Sequence, residues 1–197
     1  RLYIQWPTVG FKHDDDYALS VLSSILSGSR TARLTKAMVY DTQKASQVFG
    51  FQNSAEDVGV FQVLVVPRPE ATLTELETSV DQVLQKFITE GPTAEELQKA
   101  KSGLELGFLR GLESNLGKAN QLINGAIFYG DPGQFRTDYQ KTMAVTVADV
   151  KRVAAQYLTR SRIVLSVVPK GKRDQASKAT ESEAVSVVTR NGRGGKS

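Results

Sequence analysis

Cysteine is absent from the 197 residues, which excludes disulfides, thiolate nucleophiles and thiolate metal sites within the chain. Histidine is almost absent: His13 stands alone. A catalytic zinc needs three protein ligands and an open position for water, and one histidine with no thiolate does not supply a recognisable set. A Ser–His–Asp triad would have His13 as its only base. The three aspartates after it, Asp14–Asp16, invite a metal reading, but acidic side chains at a helix start suit the dipole and are read here as a solvated cap. No apolar run reaches the length of a membrane-spanning helix.

An excess of one charge sign is also missing from most of the chain. The net charge is +4, from 25 basic and 21 acidic residues. Seven of the basic and three of the acidic residues follow Val168, leaving 18 of each sign before it. The body is neutral, which argues against nucleic acid as a partner. The residues from Lys170 to Ser197 are rich in Gly, Ser and Lys and are expected to form a flexible basic linker or tail, with strand character only over Ala184–Thr189. Residues 1–169 are expected to form one domain. The chain opens on Arg1 and runs directly into a strand pattern, as expected of a processed chain or an excised domain.

What is present is organised around Leu22–Ser46. It reads as the end of one apolar helix, a tight loop Ser27-Gly28-Ser29, and a second helix with Leu34, Ala37 and Met38 on its apolar face. Ser29 and Thr31 are candidate N-caps for that helix. Small residues before a helix N-terminus can cradle an anion, but a tight helix–helix connection is the favoured reading.

Around this stretch the chain reads as follows. Leu2–Trp6 is a strand ended by Pro7 and Gly10, and the helix after Asp14 buries Ala18, Leu19, Val21, Leu22, Ile25 and Leu26. Ser46–Gln52 and Val58–Val66 form an antiparallel pair. The second of these has two apolar faces, so it is expected inside the sheet with cover on both sides. Capping boxes at Thr72–Glu75 and Thr93–Glu96 open two helices. The second helix carries Leu97 through Phe108 and Leu112, with a break near Glu113–Gly117. Its spaced glycines, Gly103, Gly107, Gly111 and Gly117, are expected to permit close packing against the sheet. Two more helices lead to a last strand, Arg162–Val168, and Phe108, Leu112 and Leu165 are expected in the core. The order implies an α+β fold, an antiparallel or mixed β-sheet covered by helices.

The motifs carry a resemblance as well. Ile25–Leu34 with Lys36–Tyr40, Glu90–Lys101, Leu112-Glu113-Ser114-Asn115, Tyr129-Gly130-Asp131-Pro132 and Val145–Val150 together resemble the non-catalytic, C-terminal type of domain of the pitrilysin/insulinase zinc metallopeptidases. The likeness spans about Arg1 to Pro169. It implies the half-domain fold of those enzymes, a peptide substrate, and a homologous catalytic partner in the same polypeptide or a heterodimer. The inverted His-x-x-Glu-His zinc motif of the family is not in this chain, so the expected zinc belongs to the partner and the chain itself needs no cofactor. The resemblance places Ser27, Gly28, Ser29, Arg30, Arg33, Val39 and Ser46 on a substrate-facing surface. Val39 and Ser46 stand where the family often has an Arg and a Tyr that hold substrate, so that clamp is replaced.

The chain is therefore read as a catalytically silent wall of a peptide-binding chamber, opposite a zinc-bearing half. The alternatives are a structural or assembly subunit of the same fold, and an independent anion-binding module using the Ser27–Thr31 loop. No membrane partner is expected, and the accompanying expectation for location is the periplasm or export from a bacterium. One outcome follows from the residue inventory. The isolated chain should retain no zinc through dialysis and cleave no peptide, as checked by metal analysis and a fluorogenic peptide assay with and without chelator.

Overall fold

The computed structural model describes residues 1–184. The chain runs β1 (Leu2–Val9), α1 (Asp15–Ser27), a single turn α2 (Arg33–Thr35) passing into a π-helical turn (Lys36–Asp41), then β2 (Ala45–Ser54) and β3 (Val58–Pro67). Five helices follow: α3 (Leu73–Glu90), α4 (Ala94–Gly111), α5 (Asn115–Tyr129), α6 (Gln134–Ala144) and α7 (Val147–Tyr157). Strand β4 (Ile163–Ser166) and a 3-10 turn (Arg173–Gln175) complete the described elements.

The four strands form one antiparallel sheet in the order β2-β3-β1-β4, so the fold is α+β as the sequence implies. Leu2, Ile4 and Trp6 of β1 and Phe61, Val63 and Val65 of β3 point to the helical side and are buried. They meet Leu19, Leu22 and Leu26 of α1, Leu76, Val80 and Phe87 of α3, and Val150 and Val153 of α7. The period of two on the strands and of 3.6 on the helices makes one apolar layer from each.

Strand β1 runs through Pro7, which pairs with Val60 of β3, so Pro7 does not end it. Strand β4 stops opposite Gln5, leaving Pro7 at an open edge where its missing N–H breaks no ladder bond. Strand β3 is internal, but helices cover only one of its faces. On the other, the register aligns Phe49, Leu64, Tyr3 and Leu165 in one row across all four strands, and Phe49 and Leu165 are exposed. Leu165 is therefore not a core residue. Phe108 and Leu112 are only half-buried: Phe108 stacks on Tyr139 at 4.8 Å between ring centroids, against α6 rather than the sheet. Gly103, Gly107 and Gly111 face open space, with nothing within 4 Å of an added Cβ. Of the four glycines, Gly117 is the one closely approached, and by backbone of the preceding helix rather than by the sheet: a Cβ there would lie 1.9 Å from the Gly111 carbonyl oxygen. The spacing found the inward side of α4, with Ala100 buried and Leu97 and Leu104 packed against the core, but not which residues between them meet a neighbour.

The two expected capping boxes form, Thr72 with Glu75 and Thr93 with Glu96, and the structure adds a third in Thr146 with Asp149 at the start of α7. The break between α4 and α5 sits at Leu112–Ser114, and Ser114 caps α5 by accepting from Gly117 N–H. The start of the expected linker folds back on the body. Ser177 is buried, its hydroxyl donating to Glu77 at 2.5 Å and its N–H to the Ser166 hydroxyl at 3.0 Å. The strand expected over Ala184–Thr189 lies outside the described residues, except for Ala184.

Buried charge is concentrated at two posts. Asp15 takes Arg152 at 2.6 Å and the Tyr157 hydroxyl at 2.7 Å, tying α1 to α7. Glu77 accepts from Ser177 and is flanked by Arg162 at 2.8 Å and Lys178 at 3.2 Å. Burial alone would raise the Glu77 carboxyl, but the bonds from Ser177, Lys178 and Arg162 outweigh it and hold the group below its ordinary value of 4.5.

A depressed carboxyl contributes stability that is complete above its unfolded value and lost as pH falls through its folded one. The stability of the chain should decline below about pH 4.5, and Glu77→Gln should flatten that decline in urea midpoints taken across acid pH. At neutral pH the same substitution should cost about 1–3 kcal/mol. Phe87, fully buried beneath the α2–α4 junction, is the better core probe: Phe87→Ala should cost about 3–5 kcal/mol in denaturant melts.

Candidate functional site

The stretch from Ser27 to Ser46 begins where α1 crosses the edge strand β2. The Gly50 N–H donates to the Ser27 hydroxyl at 2.6 Å, and that hydroxyl donates on to the Ser23 carbonyl at 3.2 Å. A side chain at Gly50 would start 3.0 Å from the Ser27 oxygen, so glycine is what allows the helix this close. Gly28 has right-handed backbone angles, φ −72° and ψ −2°. Its need is spatial: a Cβ would sit 2.7 Å from the Ser24 carbonyl oxygen.

Ser29 and Thr31 do not cap the next helix. Ala32 occupies the cap position in extended conformation with no side-chain bond. The Ser29 and Thr31 hydroxyls lie 3.4 Å apart, and Thr31 takes a bond from Lys99. Because α2 has three residues before the π-helical turn, it offers no dipole of the kind that cradles an anion. The tight-connection reading holds, and the apolar face is as expected, with Leu34 and Met38 buried and Ala37 packed against the core.

Arg33 is the most committed side chain of the stretch. Its guanidinium makes a bidentate pair with Glu96, Nε to Oε1 at 2.7 Å and Nη2 to Oε2 at 2.8 Å. Nη2 also donates to the Gly91 carbonyl at 2.8 Å. The group lies 4.8 Å above the Phe87 ring, with Glu90 at 3.7 Å. Only 18% of the Arg33 side chain is exposed. Hydrogen bonding from Arg33 leads the causes that hold the Glu96 carboxyl below its usual range, and the pair raises Arg33 in turn. Glu96 simultaneously accepts from Thr93 N–H at 2.8 Å as part of the α4 capping box. One carboxylate thus joins the start of α2 to the start of α4.

The remaining candidates do not converge on a cavity. Arg30 is exposed, donating from Nε to the Tyr40 hydroxyl at 3.0 Å and lying 5.1 Å above its ring. Val39 is half-buried against the core. Ser46 sits at the bulge where the β2–β3 register shifts, donating to the Val66 carbonyl at 3.2 Å. A cavity of about 650 Å³ opens elsewhere, between Arg1, Pro67–Thr74 and Val167–Ala176. His13 accepts the Asp15 N–H on Nδ1 at 3.0 Å and so helps cap α1. No group of three or more His, Cys, Asp or Glu is placed to hold a metal among the described residues.

The sequence reading missed the partners of Arg33, because Gly91 and Glu96 lie about sixty residues away and Glu96 already had a visible task in its own capping box. It also missed the polar cluster at the start of α1. There Asp16 accepts from Ser54 and Gln52, with burial raising its carboxyl, and the Tyr17 hydroxyl donates to Asp138 at 2.7 Å. Every member of that cluster is satisfied internally, as in a structural network. No described helix is long and apolar enough to cross a membrane.

The arrangement is thus a set of internally bonded side chains, and comparison with known proteins supplies the family. The family model described as the peptidase M16 inactive domain matches residues 1–104. The chain is 28% identical over 162 residues to the zinc protease PqqE of Helicobacter pylori, covering 79% of this chain and 36% of that protein. It is 25% identical over 151 residues to mitochondrial cytochrome b-c1 complex subunit 2 of Rattus norvegicus, covering 72% and 33%. The crystal structure of the inactive peptidase domain of a Bordetella parapertussis protein superposes with a TM-score of 0.73 at 22% identity, covering 86% of this chain and 93% of that one. The chain thus spans little more than a third of the curated relatives it matches. Its motifs, its four-stranded sheet and its matched residues together establish that it belongs to the peptidase M16 inactive domain family.

Proposed function

We propose that the chain is the catalytically silent half of a zinc metallopeptidase, forming one wall of a peptide-binding chamber opposite a homologous, zinc-bearing half. The observation that carries this reading is Arg33: it is the arginine of this stretch that is drawn inward, bound on three sides by Glu96, Gly91 and Phe87. A guanidinium so occupied orders the wall and offers nothing to a peptide. Val39 and Ser46 leave the clamp positions without charge or ring, so this face would contribute shape and apolar contact. Zinc, in this reading, is held by the other half and supplies its Lewis acidity there. The partner is a homologous catalytic domain, in the same polypeptide or as a second chain, and the substrate is a peptide. An exported or periplasmic bacterial location fits the family, one of whose solved members is the periplasmic protease PqqL of Escherichia coli.

The likeness to a cytochrome b-c1 subunit supports a second reading, in which the fold serves assembly and no proteolysis occurs. The two separate on one experiment: assay of a quenched peptide library by the protein assembled with its homologous half. The silent-wall reading expects chelator-sensitive cleavage that requires both halves, and Arg30→Ala should change kcat/KM only a few-fold. Arg30 is chosen because it is exposed, whereas Arg33→Ala would unpair Glu96 and disturb the fold. A loss of about a hundredfold in kcat/KM for Arg30→Ala, worth roughly 2.7 kcal/mol, would make the loop part of the active site. Absence of cleavage in the assembled protein would favour the assembly reading.

A further inference from the structure

The segment that follows β4 holds to the body by polar contacts alone. Of residues 170–184 only Ser177 is buried, with Ala176, Ala179 and Ser182 half-buried, so no large apolar side chain anchors it. Among the described residues, the Ser177 hydroxyl and the Lys178 ammonium both end on Glu77, at 2.5 and 3.2 Å. The Ser177 N–H donates to the Ser166 hydroxyl at 3.0 Å, and the Lys178 N–H to the Thr74 hydroxyl at 3.3 Å. Within itself the segment is well tied. Arg173 donates to the Ser182 carbonyl at 2.5 Å, the Ser182 hydroxyl to the Ser177 carbonyl at 2.8 Å, and the Glu181 N–H to the Lys178 carbonyl at 2.8 Å. A piece bonded to itself and lightly to its support opens as one unit. At its root stands Gly171, left-handed at φ +84° with nothing within 4 Å of an added Cβ, a position suited to a hinge. The segment closes the cavity of about 650 Å³: Asp174, Gln175 and Ala176 form one side of it, facing Pro67–Thr74.

The charges around Glu77 separate the segment from the body. Arg162 approaches Glu77 at 2.8 Å but has a second carboxylate in Asp81, which it meets through both terminal nitrogens. Lys178 has Glu77 as its ion-pair partner. Loss of the Glu77 charge therefore takes the ionic anchor from the segment, while the body keeps Arg162 on Asp81. We infer that residues 172–182 are a strap, latched by Ser177 and Lys178 on Glu77, which swings off about Gly171 without unfolding of the body and opens the cleft against Pro67–Thr74. The Glu77 carboxyl lies below its ordinary value of 4.5, so the latch is complete at neutral pH and is lost as pH falls through that lower value. This inference stands apart from the chamber reading and needs no substrate.

Hydrogen exchange read by mass spectrometry on the full 197-residue chain tests it. At neutral pH the Ser177 and Lys178 amides should be protected. Ser177→Ala should speed their exchange by about tenfold or more, because it removes a bond to a charged group, while peptides from β1, α1 and α7 keep their rates. Below about pH 4.5, with the exchange chemistry corrected for pH, the strap should lose protection before the sheet does. The cleft is read separately. Ala71→Cys puts one thiol in a chain that has no other, on the cavity wall, and a maleimide should label it about tenfold faster once Ser177→Ala is added. A strap that exchanges only together with the sheet, or that is unprotected at neutral pH, would overturn the inference. So would a Ser177→Ala chain whose strap is as protected as the parent's, or a thiol at position 71 whose labelling ignores that substitution.

Discussion

The partly buried pair between Arg33 and Glu96 joins α2 to α4. An ion pair out of water is favourable only when its geometry is good and its remaining hydrogen-bonding capacity is used. Both conditions hold: the contact is bidentate, Nη2 has a second acceptor in Gly91, and Glu96 has a second donor in Thr93. Gly91, with φ at +79°, can turn its carbonyl toward Arg33 where most residues would be strained. The Phe87 ring beneath closes the assembly. The start of α2 is thereby tied to the start of α4 by directional bonds.

The same arrangement explains why the fold can be retained where catalytic residues are not. The hydrogen bonds that hold the Ser27–Ser46 stretch run to backbone atoms, to Glu96 and to Tyr40, and require nothing from a ligand. Asp15 and Glu77 act similarly on the opposite side, each gathering a cation and a hydroxyl. Buried carboxylates here are joints between elements.

Much of this was legible in the sequence. The capping boxes of α3 and α4, the α4–α5 break at Ser114 and the buried face of α1 follow from local rules that tertiary context did not override, and the motifs pointed to the family. What was not legible depended on which face meets what. Gly103, Gly107 and Gly111 were read as contact glycines, but spacing cannot distinguish a glycine pressed against backbone from one facing outward. Leu165 alternates correctly in β4, yet it lies on the side of the sheet that no described helix covers. Ser29 and Thr31 have the chemistry of caps, but the chain reaches α2 through Ala32 in extended form. Arg33 was placed on the substrate-facing surface by the family resemblance, and its acceptors Gly91 and Glu96 come from distant sequence.

The bond from Gly50 to Ser27 has a consequence for how this sheet meets other chains. Strand β2 is ten residues long and lies at the border of the sheet, the position from which sheets recruit further strands and from which aggregation begins. With the Gly50 amide engaged by a helix side chain, an incoming extended chain finds the ladder interrupted near its middle and must displace the end of α1 to continue. The border is in effect gated by a hydroxyl group, and the sheet is protected from being extended by a stray strand.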